Sequence, residues 1–220
     1  SPDSVKTKTT RKNRKKVLKG LEKKSVAVIN SNDQMPSKGD QTYTFKQNPD
    51  FFYLTGIEQE KSILLLSPNA AKKKDQEILF LLKPEKELEI WEGHKLTKKE
   101  AEEISGIKTI KWLSEFEMTL REHVLNSDTI FLNTNEYLKF TTDVKYRELR
   151  FIEEIKEKYP LHQLKRFAPI VTKARLVKEN EEIELMKEAC RITEKAFRRI
   201  LKFIEPGVKE YEIEAEITHE

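Results

Sequence analysis

The sequence predicts an α/β domain, a mixed β-sheet flanked by helices, followed by two helices of a second domain that is expected to be incomplete. Three observations lead there. Ile63 to Leu66 and Ile78 to Leu82 are continuous apolar runs bounded by Pro68 and Pro84, the pattern of central strands covered on both faces. Segments with helical spacing alternate with such runs, which points to layers of helix on sheet. Last, Ile183, Met186, Cys190, Thr193, Phe197, Ile200 and Ile204 recur at alternating spacings of three and four. They mark one face of a long amphipathic helix, whose apolar stripe cannot be buried by the helix alone.

The elements follow in order. The first 24 residues are basic, with Lys6, Lys8, Arg11, Lys12, Arg14, Lys15, Lys16 and Lys19 among them. No aromatic residues interleave these charges. They therefore read as a disordered start over residues 1–10 and a solvated helix face, not as a nucleic-acid arm. The helix is expected over about 11–23, with Val17 and Leu18 inward. Val26 to Ile29 is a short strand. Phe51 to Leu54 reads as an aromatic-rich strand that closes at Thr55-Gly56. Thr129 to Leu132 is another strand, and helices are expected over about 98–104, 113–125 and 144–158. Ala168 to Lys178 reads as an extended connection, which places the domain boundary at 172/173. Asn180 then caps the long helix, with Glu181 and Glu182 in its first turn. Pro206-Gly207 stops it, and a further helix starts near Glu210 with Ile213 and Ile217 one turn apart.

Composition narrows the classes. Of 220 residues, 37% are hydrophobic and 36% charged, and the formal net charge is +4. That excess is too small to imply a polyanionic partner. Cys190 is the single cysteine, so no internal disulfide forms, which fits a reducing, cytoplasmic setting. No apolar run approaches the roughly 20 residues that span a bilayer, so no membrane association is expected. The first residue is Ser1, so upstream sequence has been removed, and an original signal peptide stays open.

The common catalytic signatures do not occur. The six glycines are isolated, giving neither a dinucleotide fingerprint nor a phosphate-binding loop. There is no nucleophile elbow. His94, His123, His162 and His219 share no ligand spacing. His219-Glu220 could open a zinc helix of the H-E-x-x-H type, but two residues say almost nothing. Cys190 reads as a small buried hydrophobe rather than a nucleophile, because no histidine stands at a nearby helical position. The numerous acidic residues read as solvated surface. Trp91, inside Glu89-Ile90-Trp91-Glu92-Gly93, has two open readings: packed beneath a loop, or exposed for contact.

Five segments, taken in order, resemble the aminopeptidase P (Xaa-Pro aminopeptidase) family. The first is Gln47-Asn48-Pro49-Asp50-Phe51-Phe52-Tyr53-Leu54-Thr55-Gly56, followed by the apolar run Ser62 to Leu66. The second is Ile90-Trp91-Glu92-Gly93, with Glu100-Ala101 downstream. The third, Pro169-Ile170-Val171 through Arg175-Leu176-Val177-Lys178 and Glu181-Glu182-Ile183, is similar to the family's interdomain junction. The fourth, Ile204-Glu205-Pro206-Gly207 with Glu210-Tyr211, resembles a turn between the first two helices of its pita-bread catalytic domain. The fifth is Ile217-Thr218-His219-Glu220.

The resemblance implies a creatinase/prolidase-type N-terminal domain over 1–172 and the start of a pita-bread domain over 173–220. It implies a parent that removes the residue before an N-terminal proline. The parent would use two manganese ions, held by two Asp, one His and two Glu. No position of this chain matches any of those five ligands, so the chain itself is expected to be inactive and to hold no metal pair. The N-terminal domain would cap the active site and join subunits into a homo-oligomer, and Trp91 would reach a neighbouring subunit's substrate pocket. Lys46 stands where many members carry Arg, which keeps the charge and loses the bidentate fork. Two further readings remain: a non-catalytic, peptidase-like binding module, and a prolidase that cleaves Xaa-Pro dipeptides.

Overall fold

A computed structural model describes residues 4–32, 45, 47–87, 93–134, 147–204 and 215. The chain divides into two compact units, Ser1–Ala174 and Arg175–Glu220. Within the first unit the helices are α1 (Val5–Gly20), α2 (Pro49–Thr55), α3 (Lys98–Ser105), α4 (Phe116–Leu125) and α5 (Arg147–Lys158). The strands are β1 (Ser25–Asn30), β2 (Ile63–Leu66), β3 (Glu77–Leu81), β4 (Thr109–Trp112), β5 (Thr129–Leu132) and β6 (Gln163–Arg166). The strands form one mixed sheet in the order β4-β3-β2-β1-β5-β6. β2 is antiparallel to both β1 and β3, and the other neighbours are parallel.

The predicted α/β class is therefore the observed one, and its cause is visible in the register. β1, β2, β3 and β5 are buried along their lengths, apart from half-buried Glu77 at the start of β3. Ala27 pairs with Leu66 and Phe131, and all three belong to one apolar cluster. Val28 pairs with Leu65 and Leu132 in the other. Alternate residues thus feed opposite faces, and both faces need a helical cover. The first cluster takes Val17 of α1, Phe51 and Leu54 of α2 and Ala101 of α3. The second takes Phe116, Leu120 and Val124 of α4 with Phe151 and Ile155 of α5. Phe116 meets Phe80 edge-on at 5.1 Å between ring centroids, a favoured aromatic geometry.

Several expectations are corrected. Residues 51–54 are not a strand but the middle of helix α2. The Asn48 side chain caps that helix, accepting the N–H of Asp50 at 2.9 Å and of Phe51 at 3.3 Å. Pro49 occupies the first helical position, and Gly56 ends the helix at φ +70°. Cap, proline and left-handed glycine together outweigh the β-propensity of three aromatics. Phe51 and Leu54 are fully buried, contributing about 1.5–3 kcal/mol each.

α1 starts at Val5, not near residue 11, because Ser4 Oγ accepts the Thr7 N–H at 3.1 Å. Residues 4–10 of the expected disordered start are thus a capped helix, and residues 1–3 lie outside the described residues. Val17 is buried and Leu18 partly so, as their inward assignment requires.

Ala168 to Lys178 is not an extended connection. A single helix, α6, runs over Ala168–Phe203, so Asn180 sits in a helix interior and caps nothing. No glycine or proline after Pro169 interrupts this stretch, and a lone asparagine is a weak stop. The edge strands β4 and β6 were not anticipated. β6 reads Gln-Leu-Lys-Arg with only Leu164 half-buried, a charged edge that lacks the apolar run of an inner strand. The expected helix near Glu210, with Ile213 and Ile217, lies outside the described residues, as do 144–146 of the helix that becomes α5.

Candidate functional site

Polar side chains gather where the carboxyl ends of β1 and β5 meet α2 and α5. Gln47 precedes the cap of α2. Its Oε1 accepts the N–H of Asn48 at 2.8 Å and of Asn32, just past β1, at 3.2 Å. Its Nε2 donates to the carbonyls of Ile57 at 3.0 Å and Gln59 at 3.2 Å. One amide thus ties both flanks of α2 to the exit of β1. Asn48 uses its oxygen on the α2 N–H groups, and its Nδ2 donates to Glu148 Oε1 at 2.7 Å. Asn133, one residue beyond β5, donates to the same oxygen at 3.3 Å. Asn48, Asn133 and Glu148 are 4%, 3% and 2% exposed.

The network continues beyond Gln59. Gln59 Oε1 accepts the Leu96 N–H at 2.8 Å, and the Lys95 ammonium pairs with Glu60 while only 7% exposed. A nearly buried ammonium needs such a partner. Lys95 and Leu96 follow directly on the segment that carries Trp91. Trp91 itself, with Ile90 and Glu92, lies outside the described residues, as does Lys46; Gly93 has φ +83°.

The other end of the sheet carries an open cleft of about 750 Å³. His123, in the last turn of α4, meets Ser67 Oγ through Nδ1 at 2.9 Å. Burial pushes the His123 pKa below its ordinary value, with Asp75 and Glu122 pulling the other way. Ser67 is 2% exposed, so this pair is a packed contact at the sheet end rather than an exposed nucleophile.

The described histidines stand apart. His94 meets the Glu100 carboxylate at 3.0 Å, and His162 Nε2 lies 3.0 Å from the Val124 carbonyl; His219 lies outside the described residues. Cys190, expected to be buried, is exposed. Its helical face carries the stripe anticipated for it, yet Ile183, Met186 and Phe197 are 48%, 67% and 59% exposed. A two-metal site does not fit the described residues, among which no three His, Cys, Asp or Glu come together.

Besides Lys95, two charged residues are buried where their segments read as solvated surface. Glu148 is buried, and a sequence signal for it exists: it precedes Phe151 by three and Ile155 by seven, on the apolar face of α5. Arg14 of the basic segment is fully buried against Glu77 and donates to the Leu54 carbonyl at 2.8 Å. Val17, three residues on, places Arg14 on the inner face of α1.

The model of the family described as aminopeptidase P, N-terminal domain, matches residues 10–131, and that of metallopeptidase family M24 matches residues 184–220. The Xaa-Pro aminopeptidase of Escherichia coli strain K12 is 27% identical over 209 residues, covering 94% of this chain and 47% of that protein. Among solved structures, a Bacillus anthracis protein assigned as an aminopeptidase P superposes with a TM-score of 0.70 at 28% identity. It covers 98% of this chain and 51% of its own. Escherichia coli aminopeptidase P with the inhibitor Pro-Leu shares the fold, with a TM-score of 0.63 at 24% identity over 99% of this chain and 49% of that one. The chain spans about half the length of the curated relatives it matches first, 47% and 45%.

Proposed function

The chain belongs to the family of the aminopeptidase P N-terminal domain, and on that premise we propose that it is the N-terminal part of a metal-dependent Xaa-Pro aminopeptidase. The observation that supports this best is the order of the two family matches. The N-terminal-domain match at 10–131 precedes the M24 match at 184–220, and 94% of the chain aligns with a relative named Xaa-Pro aminopeptidase.

In this reading residues 1–172 form the domain that caps the active site and mediates subunit association. Residues 173–220 open the catalytic domain. The substrates are peptides with proline at the second position, and Trp91 touches the substrate bound to a neighbouring subunit. The M24 family is one of metallopeptidases, and we assign two manganese ions to the full-length parent. We place no catalytic step on this chain and expect it to be inactive by itself. No helix among the described residues is long and apolar enough to cross a membrane. The parent is placed in the cytoplasm, as a homo-oligomer that binds no nucleic acid.

The test is hydrolysis of Xaa-Pro peptides with added manganese, run side by side on this chain and on one extended through a complete M24 domain. Activity in the long form alone supports the proposal. A folded long form that is silent favours the non-catalytic binding module, and cleavage restricted to dipeptides favours prolidase. Activity in the short form overturns the proposal.

A further inference from the structure

β1 and β5 are neighbouring parallel strands, yet the next described helices lie on opposite faces of the sheet. The helix after β1, α2, packs in the cluster of Ala27 and Ile29. The helix after β5, α5, packs in the cluster of Val26, Val28 and Leu132. In doubly wound sheets such a reversal opens a crevice beyond the carboxyl ends of the strands. Anionic ligands bind there, because backbone N–H groups and the helix dipole favour negative charge at a helix N-terminus.

In this chain a carboxylate of its own stands at that place. Glu148 lies in the first turn of α5 and is 2% exposed. Its Oε1 accepts from Asn48 across 100 positions of sequence and from Asn133 at the exit of β5. A buried carboxylate costs several kcal/mol unless hydrogen bonds replace its lost water, and these two amides supply part of that replacement. The dependence also runs the other way. Asn48 can cap α2 through its oxygen only with its Nδ2 turned toward Glu148. Without an acceptor there, a buried donor would go unsatisfied. Asn133 Oδ1 has no partner among the described residues, so its buried amide is held by Glu148.

We propose that Glu148 is a built-in anion that fills the switch point between β1 and β5 in place of a bound phosphate or carboxylate, and that it positions Asn48 and hence the start of α2. On this reading the place between Asn48 and Asn133 is a latent carboxylate site, occupied by Glu148 in the native chain and vacated by removing that side chain.

The experiment is thermal unfolding of the 220-residue chain carrying Glu148→Ala, titrated with sodium formate or with sodium chloride at equal ionic strength. The expected result is a midpoint several degrees below that of the parent chain. Formate should recover part of the loss, chloride should not, and neither salt should separate in the parent chain. Equal effects of formate and chloride, or no loss of stability, overturn the proposal. If Glu148→Ala does not fold at all, Asn48→Asp decides instead. That variant faces one carboxylate with another, so its midpoint should rise toward the parent chain's as pH falls. A difference from the parent chain that stays constant with pH overturns the proposal.

Discussion

Arg14 Nε lies 3.1 Å from Glu77 Oε2, with the guanidinium fully enclosed and the carboxylate side chain 22% exposed. This pair joins α1 to β3 across the first apolar cluster. The contact is chiefly ionic, since among the described residues Arg14 Nε and Nη2 meet no well-aligned hydrogen-bond acceptor. Burial pushes the Arg14 pKa below its ordinary value, and Glu77 holds it up.

Removing the acid should therefore cost more than removing the base. Glu77→Ala leaves a cation buried without its partner, at about 3 kcal/mol, the lower end of the range for broken buried pairs because Glu77 is partly solvated. Arg14→Met leaves no buried charge and keeps most of the packing, so its loss should be smaller. Urea unfolding of both variants ranks them. A larger loss for Arg14→Met would mean that the bond to the Leu54 carbonyl outweighs the ion pair.

Stability should fall as the solution is acidified, and His123 should contribute to the fall. Its folded pKa lies below the unfolded value because burial disfavours the imidazolium. The unfolded chain thus binds the extra proton first, so this contribution is complete above the unfolded pKa and is lost as pH drops through it toward the folded one. The window opens at about pH 6.5 and extends downward. His123→Gln should flatten the unfolding midpoint across that window relative to the parent chain. An unchanged slope would assign the acid sensitivity elsewhere.

Two glycines separate backbone strain from crowding. Gly56 and Gly106 end α2 and α3 at φ +70° and +73°. A Cβ on Gly56 would meet nothing closer than 3.5 Å, whereas one on Gly106 would lie 2.8 Å from Arg11 Nη2. Gly56→Ala should cost about 1–2 kcal/mol for the left-handed conformation alone. Gly106→Ala should cost that much and more, because Arg11 Nη2 at 2.8 Å and Thr7 Cγ2 at 3.2 Å crowd the new methyl; Arg11→Ala, introduced together with it, should remove the Arg11 share of that increment and leave the Thr7 share. Chemical denaturation of the three variants shows whether the increment exists.

The inner strands were legible because burial on both faces leaves an unbroken apolar run, as in Ile63 to Leu66. The edge strands were not, because Gln163 to Arg166 faces water and carries the charges that discourage further pairing. In helix α2 the β-propensity of Phe51, Phe52 and Tyr53 points to a strand, whereas the flanking Asn48, Pro49 and Gly56 spell out a cap, a first turn and a stop. The polar network was legible only in pieces. Gln47 and Asn48 belong to the quoted motif, but Glu148 stands 100 positions from Asn48, and only the fold brings the two together. Lys95 and Glu60 hide in the same way among many surface charges.

The exposed stripe of α6 gives the last expectation. Met186, Phe197 and Leu201 are 67%, 59% and 57% exposed, and a largely apolar stripe of this length promotes association. The flanks carry matched charges, with Arg191 paired to Glu188 at 2.7 Å and Arg198 to Glu194 at 2.6 Å, so little net repulsion opposes a second copy. The 220-residue chain should self-associate with rising concentration in sedimentation velocity, and Met186→Glu with Phe197→Glu should abolish this while leaving the first unit folded. In a chain extended through a complete M24 domain the stripe should be covered from within. The same two substitutions should then lower the unfolding midpoint rather than change the oligomer. A short chain that stays monomeric at every concentration would show that the stripe does not drive association.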